Sequence, residues 1–216
     1  EDCKINFPKN TNHYDLFSFL FVNFCYTSLL DNYIYLDKGQ FDPHKWKTVD
    51  RNFDFCPDLG AINNKVYSTY LVTDIIHPHG TQDIPRSILF GIDIPDFNRG
   101  TSKEKRLIKS YWSRYDVKYK SYFQNVELFI IYGMSISKTD GWWLDQIYDS
   151  IINNGSELII YKYGNENEES IKEKYIEACI RHKDASKEEI EKVKNNIYIV
   201  TFKSNDTYFL GLDKKY

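Results

Sequence analysis

Short apolar runs alternate along this chain with stretches in which apolar residues recur at helical spacing. The runs, predicted as strands, are residues 16–27, 66–80, 87–95, 126–133, 156–164 and 197–202. Helical spacing predicts helices over residues 102–124, from Thr139 or Asp140 to Gly155, and over residues 167–183 and 186–196. Strands that are apolar at every position are typical of a parallel sheet buried on both faces.

The alternation of strands and helices predicts an α/β fold, a mostly parallel sheet with helices on both faces. A chain of 216 residues is long enough to bury one sizeable core, so we expect a single α/β domain over residues 1–216. An irregular polar stretch at about residues 37–65 is expected to be a loop insertion, and long loops of this kind are usually functional or mobile.

Charge and cysteine usage exclude several classes of function. The formal net charge of −3 gives no global basic field, so we do not expect a nucleic-acid partner. No apolar run reaches the roughly 20 residues of a membrane span. The four cysteines contain no CxxC pair, so we expect reduced thiols, a cytoplasmic protein and no metal site, with Cys25 and Cys179 facing the core.

Polar and small residues follow several predicted strands, where ligands bind in open parallel sheets. These strand ends read NFCYT at residues 23–27, HPHG at 77–80, FGID at 90–93 and YGMSISKTD at 132–140. His79 is a candidate general base; alternatively, His77 and His79 cap a turn or are solvated. Asp93 could bind a ribose hydroxyl, or it could merely end its strand.

The segment 132–140 joins a strand to a helix through a polar turn. Gly133 would let a ligand approach the backbone closely, Ser135 and Ser137 could donate hydrogen bonds, and the helix N-terminus would attract an anion. The same residues also fit an ordinary turn with capping side chains. The basic residues between 102 and 120 could touch nucleic acid, although interleaved Glu104 and Asp116 favour a solvated helix face.

Taken in order, FCYT, HPHG, ILFGID and YGMSISKTD resemble the strand-end motifs of the AbiH family of bacterial abortive-infection proteins. That family is similar to sirtuin-like, Rossmann-like NAD-binding domains. The resemblance implies that His79 is catalytic, that Gly133 and Ser135 contact an NAD-like nucleotide, and that Asp140 is the terminal aspartate of the last motif.

The chain departs from the family pattern at three places. Cys25 stands where the family has an asparagine, which leaves Asn23 as the nearby catalytic candidate, and Met134 replaces a histidine. The family's N-terminal GNGFD-like element is absent from these residues, so we expect the chain to be the C-terminal part of a larger sirtuin-like domain.

Two main interpretations follow. In the first, the protein defends against phages and binds or hydrolyses NAD or a related nucleotide. In the second, it is a non-catalytic module that senses a phage component, a protein partner or a second copy of itself. A nucleic-acid binder using the basic helix ranks third, because the net charge is acidic.

Overall fold

The computed structural model describes residues 16–34, 70–91, 103 and 108–203. Asp93, Ser102 and the polar stretch at 37–65 lie outside these described residues. The chain divides into two compact units, Glu1–Phe90 (unit 1) and Gly91–Tyr216 (unit 2). The single domain expected from the sequence stays a prediction, because it concerns the arrangement of these two units.

The described residues of unit 1 form a parallel pair of strands, one short α-helix and the 3-10 helix Pro85–Ser87. The strands are β1 (Leu16–Val22) and β2 (Tyr70–Ile76), and the helix between them along the chain is α1 (Leu29–Ile34). The register pairs Leu16 with Tyr70 and Val22 with Ile76, so both strands end at the same level. The loops that follow them therefore leave from one edge of the sheet.

Unit 2 contains a three-stranded parallel sheet in the order β3-β4-β5. Its strands are β3 (Leu128–Tyr132), β4 (Glu157–Tyr163) and β5 (Ile197–Phe202). Its helices are α2 (Lys109–Trp112), α3 (Tyr115–Lys118), α4 (Gly141–Asn154), α5 (Glu168–Ala178) and α6 (Lys187–Lys194). Strand pairing is parallel in both units, which confirms the predicted α/β class.

The core of unit 2 lies between one face of this sheet and helices α4 to α6. Strand side chains alternate between faces, and one face supplies Phe129, Ile131, Leu158, Ile160, Ile197 and Ile199 to the core. Leu144, Tyr148 and Ile151 of α4 pack on them and are completely buried. Each fully buried side chain of this size contributes about 1.5–3 kcal/mol, so this face provides much of the stability of unit 2.

The ends of α4 follow from local chemistry. Gly155 has a φ of 70° and its N–H donates to the Ile151 carbonyl at 3.1 Å, which ends the helix as a left-handed glycine does. At the other end Asp140 occupies the N-cap position without a capping hydrogen bond from its side chain. A Cβ added to Gly141 would lie 2.4 Å from Ile180, so the helix starts in close contact with the 3-10 turn Ile180–His182.

A buried carboxylate fastens that 3-10 turn to α4. Asp145 is completely buried; its Oδ1 accepts the Arg181 N–H at 3.2 Å, and its Oδ2 lies 3.2 Å from Arg181 Nε. Desolvation raises the pKa of Asp145, and the neighbouring guanidinium opposes that rise. Arg181 also binds Asp149, with 2.9 Å between Nη2 and Oδ2. These contacts hold the start of α4 in place beside the turn that follows β3.

The strand predicted at residues 87–95 is wrong for its described part. Pro85–Ser87 forms a 3-10 helix, and residues 88–91 are irregular. Pro85 starts the helix because its ring presets the backbone and its missing N–H is not needed there. The Ser87 side chain then donates to the Ile84 carbonyl at 2.7 Å, and Leu89 N–H bonds to His79 rather than to a strand.

The single helix predicted at 102–124 is also wrong for its described part, which is broken into α2, α3 and the 3-10 helix Lys120–Phe123. The first break is at Arg114, which has a φ of 53° in the left-handed region. The break directs Tyr115 inward, where its ring contacts Trp142 and Trp143 at centroid distances of 5.3 and 5.2 Å. Burial of this aromatic cluster offsets the strain of a left-handed arginine, roughly 1–2 kcal/mol.

Candidate functional site

The loops that follow β1 and β2 lie together at one edge of the sheet. We call this region, residues 23–27 and 77–80, the β1–β2 end. Asn23 N–H donates to the Ile76 carbonyl at 2.9 Å, and Gln82 N–H donates to the Tyr26 carbonyl at 2.7 Å. Two of the strand ends selected from the sequence, NFCYT and HPHG, are therefore brought together by the parallel pairing.

His79 lies in an aromatic environment at the β1–β2 end. The centroid of its ring is 5.4 Å from that of Phe24 and 6.4 Å from that of Tyr26. Its backbone carbonyl accepts a hydrogen bond from Leu89 N–H at 2.9 Å. The imidazole is half-buried, so its orientation is set by packing while part of it faces outward. This placement suits the acid–base role predicted for His79.

Gly80, directly after His79, is a glycine for a steric reason. Its φ is 82°, and a Cβ at this position would lie 2.1 Å from the Ser87 carbonyl oxygen. Because that distance is far below any real contact, no other residue fits without moving the backbone of the following 3-10 helix. The glycine of HPHG thus lets the loop pack tightly against the segment after it.

His77 is paired with a carboxylate, Asp31, which the sequence motifs did not include. Its Nε2 lies 2.9 and 3.1 Å from the two Oδ atoms of Asp31, a residue of α1. Its Nδ1 lies 3.4 Å from the Cys25 carbonyl oxygen. His77 therefore links β2 both to α1 and to the loop after β1. Asp31 is 46 residues away in the chain and belongs to no motif, so no local signal pointed to this pair.

Asn23, the second predicted catalytic residue, binds its own loop. Its Oδ1 accepts the Cys25 N–H at 2.9 Å, and its Nδ2 donates to the Thr27 carbonyl at 3.4 Å. This is an Asx-type turn, in which an asparagine side chain stabilises the backbone two residues on. The turn also exposes Cys25; the expectation that Cys25 faces the core is wrong because β1 ends before it, at Val22. Cys179, by contrast, is buried as expected.

The turn after β3 holds the second group of predicted residues. Gly133 has a φ of 65°, and nothing lies within 4 Å of the position a Cβ would take. Ser135 is exposed. The Ser137 hydroxyl donates to Asp140 Oδ2 at 3.3 Å and lies 2.6 Å from the Thr139 hydroxyl oxygen. The turn thus offers an open backbone position, an exposed hydroxyl and a hydrogen-bonded carboxylate that could accept further hydroxyl donors.

The start of α4, the helix after this turn, is buried, whereas the turn is exposed. The four residues of its first turn, Gly141 to Leu144, are all buried. Trp142 Nε1 donates to Asp116 at 2.9 Å, and rings of α3 and of Phe123 pack on both tryptophans. The accessible part of the segment is therefore the turn at residues 133–139 rather than the first turn of the helix.

The predicted site residues fall into two groups. Asn23 and His79 belong to unit 1, whereas Gly133, Ser135 and Asp140 belong to unit 2. Asp93 lies outside the described residues. Within the ranges that the structure describes, no three His, Cys, Asp or Glu side chains are grouped as a metal site would need. No helix in those ranges is both long enough and apolar enough to cross a membrane.

Comparison with known proteins identifies the family. No curated protein and no solved structure gives a significant match to the chain. The family model described as bacteriophage abortive infection AbiH matches residues 3–163, which is more than half of the chain and includes all four strand-end motifs. The resemblance noted in the sequence is thereby confirmed, and the chain belongs to the AbiH family of bacteriophage abortive-infection proteins.

Proposed function

We propose that this AbiH protein acts in antiphage defence by binding NAD, or a closely related nucleotide, and hydrolysing the bond between nicotinamide and ribose. Family membership supports the defence role. The observation that carries the enzymatic part is the β1–β2 end, where paired parallel strands bring NFCYT and HPHG together around His79.

The reaction needs a base and a way to hold the ribose. A water molecule attacks the anomeric carbon of the ribose, the bond to nicotinamide breaks, and its electron pair goes to the pyridine nitrogen. His79 accepts the proton of the attacking water, and the products are nicotinamide, ADP-ribose and a proton. The Phe24 and Tyr26 rings beside His79 restrict the imidazole and keep bulk water from part of it.

The turn after β3 supports the binding part of the proposal. Gly133 leaves its backbone open, the hydroxyl of Ser135 is exposed, and the Asp140 carboxylate accepts hydroxyl donors. Within unit 2, Gly133 and Ser135 are proposed to contact a nucleotide, and Asp93 and Asp140 to accept its hydroxyl groups. A carboxylate is suited to ribose hydroxyls because it accepts two or more hydrogen bonds.

NAD turnover by the purified full-length protein tests this proposal. Wild type is expected to release nicotinamide and ADP-ribose, and His79→Ala to lose about a hundredfold or more in rate, the range for removing a general base. Asp83→Ala, in the exposed loop after HPHG, is the matched control and should keep the wild-type rate. No NAD loss with folded wild-type protein would reject the enzymatic function.

A non-catalytic sensor is the second candidate, and the Asn23 side chain favours it. Both ends of that amide are engaged with the loop Cys25–Thr27, as in a residue that shapes a turn. In this reading the protein recognises a phage component, a protein partner or a second copy of itself. Affinity capture from infected and uninfected cells tests it; failure to recover any infection-specific partner would count against a sensor.

A further inference from the structure

Four aromatic rings meet at the carboxyl ends of the three parallel strands of unit 2. They are Tyr132 at the end of β3, Tyr161 and Tyr163 of β4, and Phe202 at the end of β5; we call them the aromatic platform. Tyr132 pairs in register with Tyr161, and Tyr163 with Phe202. Because side chains alternate along strands, all four share the face opposite to the one packed under α4 to α6.

The rings form one continuous surface. Tyr132 and Phe202 stack at a centroid distance of 5.7 Å and an interplanar angle of 12°, although β4 lies between their strands. Tyr161 lies 6.1 Å from Tyr132, and Tyr163 lies 5.7 Å from Phe202, edge to face. Tyr132 is 70% exposed and Tyr163 is 63% exposed. The stack therefore stands outside the core of unit 2.

A single exposed tyrosine on a strand needs no explanation, since tyrosine favours strands. A contiguous exposed group is different, because soluble proteins seldom leave large apolar patches open unless the patch binds something. The carboxyl ends of parallel strands are also where ligands bind in open α/β sheets. The position and the exposure of the platform together indicate a binding surface rather than tyrosines that are present only because they favour strands.

The turns beside the platform leave room for a small ligand. Gly133 follows Tyr132, and Gly164 follows Tyr163, with φ values of 65° and 105°. At neither glycine does any atom lie within 4 Å of the Cβ position. Because Gly133 carries no side chain and the space at its Cβ position is open, a flat ring lying on the platform could continue into a sugar above the Gly133 turn. Near-parallel aromatic rings stack well with nucleobases, since every base presents a π face.

The two turns beside the platform differ in charge. The segment after Gly164 contains Glu166, Glu168 and Glu169, but Glu166 pairs with Lys162 and Lys174, and Glu169 pairs with Lys194, so this side carries mixed charge. The turn after Tyr132 instead carries exposed Ser135 and exposed Lys138. A nucleotide on the platform would thus direct its sugar and phosphate over the β3 turn and its base toward Phe202.

We propose that the aromatic platform binds the base of a nucleotide by stacking, with Tyr132 as its principal contact and the turn at residues 133–138 holding the sugar phosphate. This inference rests on the nucleotide-binding part of the proposed function. It gives a role to Tyr132, for which the family resemblance implies none, since the resemblance places the nucleotide on Gly133 and Ser135. It requires no catalysis and no residue of unit 1.

Calorimetric titration of the full chain with AMP, NAD and ribose 5-phosphate tests the platform. Tyr132→Ala is expected to weaken AMP and NAD binding about tenfold or more, the effect of losing one stacking ring. Tyr132→Phe should retain wild-type affinity because it keeps the ring. Tyr111→Ala, which removes another exposed tyrosine of unit 2, should also leave affinity unchanged. Ribose 5-phosphate, which lacks a base, should not distinguish wild type from Tyr132→Ala.

The outcomes separate the platform from the enzymatic proposal. Loss of AMP binding in Tyr132→Ala supports the platform even where wild type never hydrolyses NAD. Equal AMP affinity of wild type and Tyr132→Ala overturns the platform, and NAD hydrolysis would still stand if His79→Ala abolished it. Absence of AMP and NAD binding by wild type overturns the platform. The platform is also overturned if wild type self-associates in ultracentrifugation and Tyr132→Ala abolishes that association while leaving the affinity for AMP unchanged.

Discussion

The two units end their parallel strands in opposite ways. At the β1–β2 end the loops bond to each other and to α1, through Asn23, His77 and Asp31, and Gly80 packs against the next segment. At the end of the unit 2 sheet, Tyr132 is largely exposed and Gly133 has open space above it. The carboxyl edge of the sheet is thus held by polar contacts in unit 1, whereas the carboxyl edge of the sheet in unit 2 is open.

Polar residues after a strand can bind a ligand or stabilise a turn. The difference between the two units shows that their hydrogen bonds are needed to tell these roles apart. Asn23 looks like a catalytic side chain in the sequence, yet its amide holds a turn. Gly80 and Gly133 look alike in the sequence, yet one is enclosed and the other is open. Unit 2 also buries a large core under one face of its sheet.

The largest contrast is expected in cysteine reactivity. Cys25 is exposed in the β1–β2 end, whereas Cys179 is buried in the core of unit 2, and burial raises the pKa of its thiol. Alkylation requires an accessible thiolate, so Cys179 should react only through opening of the structure, at least about a thousandfold more slowly than Cys25. Timed alkylation followed by peptide mass spectrometry measures both rates, and urea should make them equal. Comparable rates in native protein would contradict the burial of Cys179.

A matched pair of glycine substitutions tests the enclosed and open turns. Both Gly80→Ala and Gly133→Ala force alanine to a positive φ, at a cost of about 1–2 kcal/mol. Only Gly80→Ala also places a Cβ 2.1 Å from a backbone oxygen, so its total loss should be about 3 kcal/mol or more. Urea denaturation gives the free energies of unfolding, and hydrogen exchange of peptides from residues 16–34 and 70–91 locates the damage. Equal losses would mean that the β1–β2 end is not tightly packed.

The strands and the long helix of unit 2 could be predicted because a buried core imposes their periodicity. β3, β5 and α4 lie within the predicted runs, and Gly155 ends α4 as its position indicated. The left-handed conformation of Arg114 could not be predicted from the sequence, because the burial that offsets its strain involves rings of another helix. The platform and the His77–Asp31 pair depend on strand register and on contacts between residues far apart in the chain, which no local pattern encodes.

The contact between His77 and Asp31 should be measurable as a coupling energy. His77→Ala is expected to lower the free energy of unfolding by about 2 kcal/mol, because it removes a charge-assisted hydrogen bond at a side chain that is only 11% exposed. A double-mutant cycle with Asp31→Ala should give a coupling of about 1 kcal/mol, reduced by the partial exposure of Asp31. The same cycle with Asp83→Ala is the control and should give none. A coupling energy near zero would mean that the contact between His77 and Asp31 does not stabilise the β1–β2 end.

The smallest effect is expected where the surface is open. Tyr132→Ala should lower the free energy of unfolding by only about 0.5 kcal/mol, because the ring lies outside the core and mostly in solvent. Tyr175→Phe is the positive control: the Tyr175 hydroxyl is buried and donates to the Leu144 carbonyl at 3.1 Å, so its loss should cost about 1 kcal/mol. Urea denaturation of both variants decides the order. If Tyr132→Ala cost as much as a core substitution, the stacked rings would be part of the fold. If the cost is small, the fold does not depend on the Tyr132 ring, and the ring is free to contact a ligand.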